Sequence, residues 1–334
     1  MKKYAIDINF NWKGSYNAGP KARVDVSKTL EKLGYKILCI KHKDFSSRAI
    51  YSLYRKLQII WLYIRYLKKA DRVLFQYPGV ISLWLLDKLK KHGTKITILI
   101  HDLENIREER DFTEKVVLNY ADDIISHTPD MTSFIKKEGI SCKIHDIMLF
   151  DYYTEDSSVY QETDKNSIVY CGNLSKSPFI YSLGNIPLKG SIFLYGKGYN
   201  NSMATPKVKY SGAFHSDDIS NIKGAWGVVW DGTSIESCST SAIGRYLRYN
   251  SSHKASLYIA AEKPLIVWSE SALAPFVKEK EIGITVDSLL EIETVINNIT
   301  TEKYQDFIIN VKLLKKKLTN GVLLSQVIKQ IENK

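Results

Sequence analysis

Cysteine is scarce in this sequence, and its spacing argues against several kinds of site. The 334 residues include four cysteines, at Cys39, Cys142, Cys171 and Cys238, and none of them forms a CxxC pair. We therefore expect free thiols in a reducing cytoplasm rather than a disulfide framework or a cysteine metal site. The GxGxxG dinucleotide fingerprint is also missing, which weakens an interpretation as a dehydrogenase.

Long apolar runs are missing as well. The longest strongly apolar stretch, 57–64, ends at Arg65 and is far shorter than the roughly 20 residues that span a bilayer. The first residues lead directly into a predicted strand, without the apolar core and cleavage site of a signal peptide. The sequence thus predicts a cytoplasmic protein without a transmembrane anchor. It contains no internal repeat and no low-complexity segment.

Composition predicts a two-domain globular protein with a basic first half. Hydrophobic residues make up 44% and charged residues 25% of the chain, and its length exceeds what one core usually supports. Residues 1–150 hold 27 Lys and Arg against 17 Asp and Glu, whereas 151–334 hold 20 against 19. Nine basic and two acidic residues lie within 41–72. Such a face favours an anionic membrane or ligand; nucleic acid is not expected, because no aromatic binding motif accompanies it.

Short β-rich runs alternate with helical patterns throughout the first half. Strands are predicted at 4–10, 36–40, 72–76, 95–100, 123–126 and 143–148, and helices at 20–33, 49–69, 81–91, 113–120 and 129–137. This alternation predicts a parallel sheet with helices on both faces, whose ligands bind at the carboxyl ends of the strands.

The second half resumes the alternation after an interruption. Strands are predicted at 167–171, 191–195, 208–210, 227–230, 265–268 and 282–285, followed by helices at 287–299, 303–317 and 321–332. Apolar periodicity is lost over 151–166, which we interpret as a linker. The predicted α/β protein therefore has Rossmann-like domains at 1–150 and 167–318.

The stretch 246–271 has the features of an anion site. Ser252, or the serine before it, can cap a helix that stops before the buried strand 265–268. His253 and Lys254 then lie in the first turn, where backbone N–H groups and the helix dipole favour a group such as a diphosphate. The alternative is a capped surface helix with a solvated lysine.

Several segments resemble bacterial GT-B glycosyltransferases. They are Leu99–Glu104 (LIHDLE), Ile125–Met131 (ISHTPDM), Phe150–Tyr152 (FDY), Val169–Ser175 (VYCGNLS), Gly224–Gly232 (GAWGVVWDG), Tyr246–Tyr258 (YLRYNSSHKASLY) and Pro264–Trp268 (PLIVW). Their order is most similar to the O-antigen β-1,6-galactofuranosyltransferase group, and more distantly to glucosyltransferases that extend glycans on serine-rich-repeat adhesins. The resemblance spans nearly the whole chain. It implies two Rossmann-like domains facing a central cleft, with an acceptor-binding first domain, a nucleotide-sugar-binding second domain, and a C-terminal helix at 319–334 that packs back on the first.

The resemblance implies that lysines of the second domain hold the donor diphosphate. Lys254 is expected on one side and Lys176 on the other, although lysine lacks the bidentate fork of the arginine that relatives often have at the Lys176 position. Asp231 can hydrogen-bond sugar or ribose hydroxyls, and Gly196 can hold the base or ribose. Alternatively, both residues can simply form turns. The expected donor contacts are Lys254, Lys176, Tyr249, Asn250, Ser252, His253, Asp231, Gly172, Asn173 and Gly196. No DxD pair follows a strand, so no metal and no cofactor are expected.

An inverting transferase needs a base for the acceptor hydroxyl, and Asp102 is our first candidate. It follows the predicted strand 95–100 and, with His101 as an orienting neighbour, can accept the proton. A capping role for Asp102 in the next turn is the alternative. His127 is the second candidate, or else a residue that satisfies the helix after it.

The remaining partners are expected on the first domain. The acceptor is expected to contact Asn17, Gly19 and Lys21, in the polar loop after the first strand and just beyond it. Within 51–69, an apolar stripe is interpreted mostly as core packing, and its basic flank as a contact for an anionic bilayer carrying lipid-linked acceptors. The stripe consists of Tyr54, Leu57, Ile60, Trp61, Ile64 and Leu67.

The sequence therefore predicts a cytoplasmic, metal-independent transferase in cell-surface polysaccharide biosynthesis, such as that of O-antigen or capsule. Its expected donor is UDP-galactofuranose and its acceptor a saccharide, lipid-linked in one interpretation. A UDP-glucose-dependent enzyme acting on a serine-rich-repeat adhesin, and a non-catalytic GT-B subunit that binds acceptor, remain alternatives. Peripheral contact with the inner face of the plasma membrane and a homo-oligomer are compatible with the sequence.

Overall fold

The computed structural model describes residues 1–9, 18–41, 45, 47–154 and 158–333. The chain divides into two compact units. The first comprises Met1–Lys13, Arg23–Ile147 and Leu324–Lys334, and the second comprises Gly14–Ala22 and Met148–Leu323.

In the first unit, the described strands form one parallel six-stranded sheet. They are β1 (Lys3–Asn9), β2 (Lys36–Lys41), β3 (Arg72–Tyr77), β4 (Lys95–Ile100), β5 (Asp123–Ser126) and β6 (Lys143–Asp146). Their order is β2-β1-β3-β4-β5-β6, and the register pairs Tyr4 with Lys36 and Val73 with Ile96. The interior strands β3 and β4 are almost entirely buried, as expected for a parallel sheet covered on both faces.

Helices of varied length connect these strands. Within the described residues they are α1 (Ala18–Lys32), α2 (Arg48–Arg65), α3 (Leu83–Lys91), α4 (Glu104–Arg107), α5 (Lys115–Leu118) and α6 (Pro129–Lys137). The C-terminal helix α12 (Val322–Glu332) also contacts this sheet, because Glu332 accepts hydrogen bonds from Lys3 Nζ at 3.0 Å and from the Tyr35 hydroxyl at 2.8 Å.

The second unit has its own parallel six-stranded sheet among the described residues. Its strands are β7 (Ile168–Cys171), β8 (Ile192–Tyr195), β9 (Val208–Tyr210), β10 (Trp226–Val229), β11 (Leu265–Trp268) and β12 (Gly283–Val286). Its helices are α7 (Ala242–Arg245), α8 (His253–Ala260), α9 (Ala274–Glu279), α10 (Ile292–Asn297) and α11 (Thr301–Leu318). Trp226, Trp230 and Trp268 are among the largest fully buried side chains and fill the core.

The order of the second sheet creates a switch point. The strands lie in the order β12-β11-β10-β7-β8-β9, so β7 pairs with β10 on one side and with β8 on the other. From β7 the chain continues toward β8, and from β10 it continues in the opposite direction, toward β11. This reversal opens a crevice at the carboxyl ends of β7 and β10. In the first sheet, the corresponding place lies between β1 and β3.

The interpretation of the apolar stripe in 51–69 as core packing was largely wrong. Of that stripe, only Leu67 is fully buried, whereas Leu57, Trp61 and Ile64 are 56%, 58% and 68% exposed. The core-facing side of α2 is instead formed by Ile59, Leu62 and Tyr63. Apolar residues occupy two faces of this helix, and a periodicity argument cannot decide which of two such faces is buried. The helix also ends at Arg65 rather than Lys69.

Two further features bear on the predictions. Ser252 is the N-cap of α8, but its side chain makes no capping hydrogen bond, contrary to our expectation. Among the described residues, no helix is both long and apolar enough to cross a membrane.

Candidate functional site

A cavity of about 450 Å³ lies in the second unit at the carboxyl ends of β7 and β8 and the N-terminus of α8. This volume is in the range of sites that bind small molecules. Its lining residues are Pro20, Tyr152, Cys171, Gly172, Asn173, Lys176, Tyr195, Gly196, Ala213, Phe214, Ser216, Ser252, His253, Lys254 and Leu257. Two lysines and no carboxylate belong to this described lining, so the cavity suits an anion.

Lys254 is the best-positioned cation of the cavity. Its Nζ lies 2.8 and 2.9 Å from the two carboxylate oxygens of Asp231, and its side chain is only 15% exposed. Burial alone would lower the pKa of Lys254, but the charge of Asp231 and the nearby Tyr170 hydroxyl raise it above its ordinary value. Lys254 is therefore a fixed positive charge at neutral pH.

Asp231 follows β10, and Gly172 follows β7, so the two residues flank the switch point. A Cβ at Gly172 would lie 3.2 Å from Lys254 Cε, which is a tight contact. The absence of a side chain there leaves room for the lysine stem. Asp231 does not line the cavity itself; it holds the residue that does.

Gly196 is required by close backbone approach. Its φ is +145°, and a Cβ there would lie 1.8 Å from the carbonyl oxygen of Gly172. The same two loops are joined by a hydrogen bond from Leu174 N to Lys197 O at 2.9 Å. The turns after β7 and β8 thus form one continuous backbone wall, on which Asn173 and the exposed Lys176 are carried.

Aromatic side chains form one side of the cavity, which sequence patterns hardly indicated. The Tyr152 ring packs at a tilt against the His253 ring, with centroids 5.2 Å apart, and its hydroxyl donates a hydrogen bond to the backbone carbonyl of Ser216 at 2.6 Å. Phe214 packs edge-on against Tyr195 at 5.7 Å. The only signal was Phe150-Asp-Tyr152, a segment of the family resemblance that we had assigned in part to the linker.

The other predicted donor residues divide into two groups. Gly172, Asn173, Lys176, Gly196, Ser252, His253 and Lys254 line the cavity. Tyr249 and Asn250 do not; the Asn250 backbone N–H is hydrogen-bonded to Tyr246 O at 3.1 Å, in the turn before α8. This position indicates that the two residues shape the loop before α8 rather than the wall of the cavity.

In the first unit, His101 and Asp102 follow β4 as predicted. His101 Nε2 lies 2.7 Å from Gln76 Oε1, and Asp102 Oδ2 lies 3.2 Å from a guanidinium nitrogen of Arg107. The Asp102 side chain is 37% exposed. The buried Glu114 accepts hydrogen bonds from the first backbone N–H groups of α4, at Glu104 and Asn105, so Asp102 is not the N-cap of this helix, which is Leu103.

A buried polar network fixes the orientation of His101. Gln76 Nε2 donates to Ser27 Oγ at 2.9 Å, and Ser27 in turn contacts Asp7 at 3.3 Å. The amide oxygen of Gln76 therefore faces His101 and accepts a hydrogen bond from its Nε2. Arg23 pairs with Asp7 at 3.2 Å. Sequence patterns did not reveal this network, because its members come from β1, α1 and β3.

His127 does not have the properties of a base that reaches an acceptor. It is only 2% exposed, and its Nε2 lies 3.0 Å from Ile100 O. Burial lowers its pKa to about 4, so the ring is neutral and enclosed. We no longer include it among the catalytic candidates.

The three predicted acceptor residues receive little support. Lys21 is fully buried; its Nζ lies 2.9 Å from Asp217 and contacts Tyr153 O. An enclosed and paired ammonium is structural rather than available to a ligand. Asn17 lies outside the described residues, and of Gly19 only the helical backbone is described.

No group of three or more His, Cys, Asp or Glu side chains in the described ranges is arranged to hold a metal ion. Cys171 is enclosed beside the cavity, and burial raises the pKa of its thiol to about 12. It is therefore not a nucleophile at neutral pH.

Sequence comparisons agree with the geometry in both units. The family of glucosyltransferase 3-like proteins matches with its N-terminal domain over residues 3–149 and with its C-terminal domain over residues 168–331. The β-1,6-galactofuranosyltransferase WbbI of Escherichia coli K12 is 33% identical over 274 residues, covering 79% of this chain and 80% of that protein. Glucosyltransferase 3 of Streptococcus gordonii is 24% identical over 331 residues, covering 92% of each chain.

Solved structures show the same fold. Sucrose-phosphate synthase from Thermosynechococcus elongatus has a TM-score of 0.67 at 14% identity, with 99% of each chain covered. The Anabaena protein HepE, in complex with UDP and glucose, has a TM-score of 0.57 at 13% identity, again with 99% of each chain covered. These similarities confirm the predicted GT-B fold. Together with the family match, they establish that this chain is a glycosyltransferase and belongs to the glucosyltransferase 3-like family.

Proposed function

We propose that this enzyme transfers galactofuranose from UDP-galactofuranose to a saccharide acceptor in cell-surface polysaccharide biosynthesis. The observation that carries the UDP-sugar part is the anion-binding cavity with Lys254 fixed at the N-terminus of α8. The galactofuranose part is supported by the 33% identity to the β-1,6-galactofuranosyltransferase WbbI.

The diphosphate of the donor binds between two lysines in this proposal. Lys254 and the first backbone N–H groups of α8 attract it from one side, because cations and helix N-termini both favour negative charge. Lys176 approaches from the loop after β7 and is exposed, so its contribution is smaller. Asp231 acts as a positioning residue that fixes the Lys254 ammonium. No metal is needed for this arrangement, since positive side chains neutralise the leaving UDP.

Asp102 is the proposed general base. It takes the proton of the acceptor hydroxyl as that oxygen attacks the anomeric carbon, while the bond from this carbon to the diphosphate breaks and UDP leaves with its electron pair. Direct attack of this kind inverts the anomeric centre. Arg107, 3.2 Å away, keeps the carboxylate oriented, and His101 is positioned beside it by Gln76.

The proposed setting is the cytoplasm, in peripheral contact with the inner face of the plasma membrane. Lipid-linked saccharides would be presented there as acceptors, and the basic residues within 41–72 support contact with anionic lipid. The domain roles remain those of the sequence interpretation: 1–150 for the acceptor and 167–318 for the donor, with 151–166 as linker and 319–334 as closing helix.

A second candidate function is supported by another relative. Glucosyltransferase 3 of S. gordonii is matched over 92% of both chains, so a UDP-glucose donor and a glycosylated serine-rich-repeat adhesin as acceptor form the alternative. A non-catalytic role for the chain as an acceptor-binding subunit is less consistent with a cavity that retains its cations.

Transfer assays with a panel of UDP-sugars test the sugar assignment. The purified chain is incubated with UDP-galactofuranose, UDP-galactopyranose or UDP-glucose and with free or lipid-linked glycosides. The proposal predicts product with the galactofuranose donor and at least about tenfold less with the others, which corresponds to a difference of about 1.4 kcal/mol. Preferential turnover of UDP-glucose would select the alternative, and UDP binding without transfer from any donor would favour the non-catalytic role.

A further inference from the structure

Ser216 combines a buried hydroxyl with a place in the wall of the cavity. The residue is 6% exposed and is part of the cavity lining. Its Oγ is enclosed and forms no hydrogen bond with any residue that the structure describes. A buried hydroxyl without a hydrogen bond costs free energy, so proteins rarely leave one unpaired. The cavity is the open space next to Ser216, and a ligand bound there can supply the partner.

The backbone around Ser216 is held in place by two other segments of the second unit. The Tyr152 hydroxyl donates a hydrogen bond to the Ser216 carbonyl at 2.6 Å, and Thr154 Oγ1 donates to the Asp217 carbonyl at 3.1 Å. The Asp217 carboxylate also pairs at 2.9 Å with the fully buried ammonium of Lys21, in the first turn of α1. The Ser216 hydroxyl is therefore presented from a fixed backbone, and a preorganised group loses little entropy when a ligand binds.

The part of the wall that carries Ser216 is aromatic. Phe214 belongs to the same segment after β9 and packs edge-on against Tyr195, with ring centroids 5.7 Å apart. The cations of the lining, Lys176 and Lys254, come instead from the loop after β7 and from α8. Aromatic side chains suit a flat heterocycle with apolar faces, whereas a diphosphate favours the cations. The surroundings of Ser216 therefore match the nucleoside part of a nucleotide-sugar.

We propose that the Ser216 hydroxyl binds the nucleoside part of the donor, through a hydrogen bond to a ribose hydroxyl or to the polar edge of uracil. The inference rests on the proposed use of a UDP-sugar. It makes Ser216 a specificity-determining residue, separate from the lysines that hold the diphosphate. Because uridine carries the partner group and the phosphates do not, the contact contributes equally to the binding of uridine, UMP and UDP.

The same hydroxyl has a distinct effect on stability. It makes no hydrogen bond within the described part of the chain, so Ser216→Ala removes a buried polar group without breaking a contact of the fold. We expect the free energy of unfolding of the ligand-free protein to remain unchanged or to rise. A serine whose hydroxyl is bonded within the fold should behave in the opposite way.

Ser167 provides this matched control in the same unit. It is also buried, and its Oγ donates to the Asp164 carbonyl at 2.7 Å and accepts from the Ala225 backbone N–H at 3.0 Å. It immediately precedes β7, at the opposite end of that strand from the cavity. Ser167→Ala should therefore lower the free energy of unfolding and leave the affinity for uridine nucleotides at its wild-type value.

Calorimetric titration of the full chain with uridine, UMP and UDP tests the inference. We expect Ser216→Ala to lower all three affinities by the same factor, about three- to tenfold, as for the loss of one neutral hydrogen bond. Titration with 2′-deoxy-UDP then identifies the partner group. If the substitution does not change the affinity for this ligand, the partner is the ribose 2′-hydroxyl; if the full loss remains, the partner is uracil or the 3′-hydroxyl.

Several results would overturn the inference. Unchanged affinities would show that the hydroxyl binds no part of the ligand, and a loss for UDP but not for uridine would place it on the phosphates. An equal loss in Ser167→Ala would assign the effect to the fold. UDP binding by the wild type, combined with an unaffected Ser216→Ala, contradicts only the role of Ser216. A wild type that binds no UDP contradicts the proposed function itself, and this inference with it.

Discussion

The two sheets have similar architectures, but their switch points are used differently. In the second unit, the place between β7 and β10 opens into a cavity where Lys254 is held by Asp231. In the first unit, the described residues beside the corresponding place between β1 and β3 include an internal ion pair, since Arg23 pairs with Asp7 and both are 8% exposed. The same topology therefore holds a cavity in one unit and, among the described residues, an internal ion pair in the other.

This difference shows that a parallel α/β topology determines where a ligand site can form, but local side chains decide whether it does. At the second switch point, glycines leave room in the crevice; beside the first, the guanidinium of Arg23 also donates to the backbone carbonyl of Pro78, just after β3. We expect substitutions at the first site to change stability, and substitutions at the second to change UDP affinity.

The largest expected effect is on stability, from Arg23→Met. The substitution leaves the Asp7 carboxylate buried without its cation, and breaking a buried pair on one side typically costs about 3 to 5 kcal/mol. We expect chemical unfolding to show a loss of that size. Burial already raises the pKa of Asp7, against the lowering effect of Arg23. The stability lost in Arg23→Met should therefore shrink as pH falls toward the raised pKa of Asp7. Near that pH, Asp7 is protonated in the folded state but still ionised in the unfolded state, so the buried charge disappears.

Asp7→Asn/Arg23→Met is the matched control for this change. It removes both charges, so it should recover most of the lost stability. An Arg23→Met variant as stable as the wild type would show that the buried pair does not stabilise the first unit.

Asp102→Asn should have the next largest effect, on rate. The amide keeps the size of the side chain but cannot take a proton, and general-base assistance is typically worth about 10² to 10⁴ in rate. We expect a folded variant with near-normal UDP affinity and at least about a hundredfold lower turnover in transfer assays. Near wild-type turnover would remove Asp102 from the mechanism, and unfolding would instead reveal a structural role for its contact with Arg107.

Lys254→Ala should weaken UDP binding by about tenfold to a hundredfold, since a hydrogen bond from a charged donor is worth roughly 1.5 to 3 kcal/mol. Calorimetry measures this directly. The substitution also leaves Asp231 unpaired beside the cavity, where its charge would repel a diphosphate. The double variant Lys254→Ala/Asp231→Asn separates the two causes: continued weak binding indicates a direct contact from Lys254, whereas recovery would assign the loss to repulsion alone.

Lys176→Ala should have the smallest effect. This side chain is exposed, and exposed charge pairs contribute about 0.2 to 1 kcal/mol, so a loss in UDP affinity of about fivefold at most is expected. The loss should diminish at high salt, unlike that of Lys254→Ala. If Lys176→Ala binds UDP more weakly than Lys254→Ala does, then Lys176 contributes more to UDP affinity, contrary to the proposal.

Much of the second unit could be predicted from the sequence because its signals are local. The N-terminus of α8, the lysine in its first turn and the glycine after β7 lie within short stretches with clear helix, strand and turn patterns. The pairing of Asp231 with Lys254 was not predicted, because it depends on which strands are neighbours. Sheet order arises from long-range pairing that no local pattern encodes.

The first unit was harder to predict for the same reason. The network from Asp7 through Ser27 and Gln76 to His101 joins three elements, and none of these residues is unusual in its own segment. The exposed face of α2 was missed because both faces of that helix are apolar, and hydrophobic periodicity then fits either one as the core. Burial of Lys21 depended on Asp217, almost two hundred positions away in the chain.

The central claim is that the second switch point binds the diphosphate of UDP through Lys254. Titration of the wild type and Lys254→Ala with both UDP and uridine tests it most directly, because uridine shares every group of UDP except the phosphates. We predict that Lys254→Ala lowers the affinity for UDP by about tenfold to a hundredfold and leaves that for uridine nearly unchanged, so that the preference for UDP falls by the same factor. An unchanged ratio of the two affinities would contradict the claim, because the lysine would then contact no phosphate.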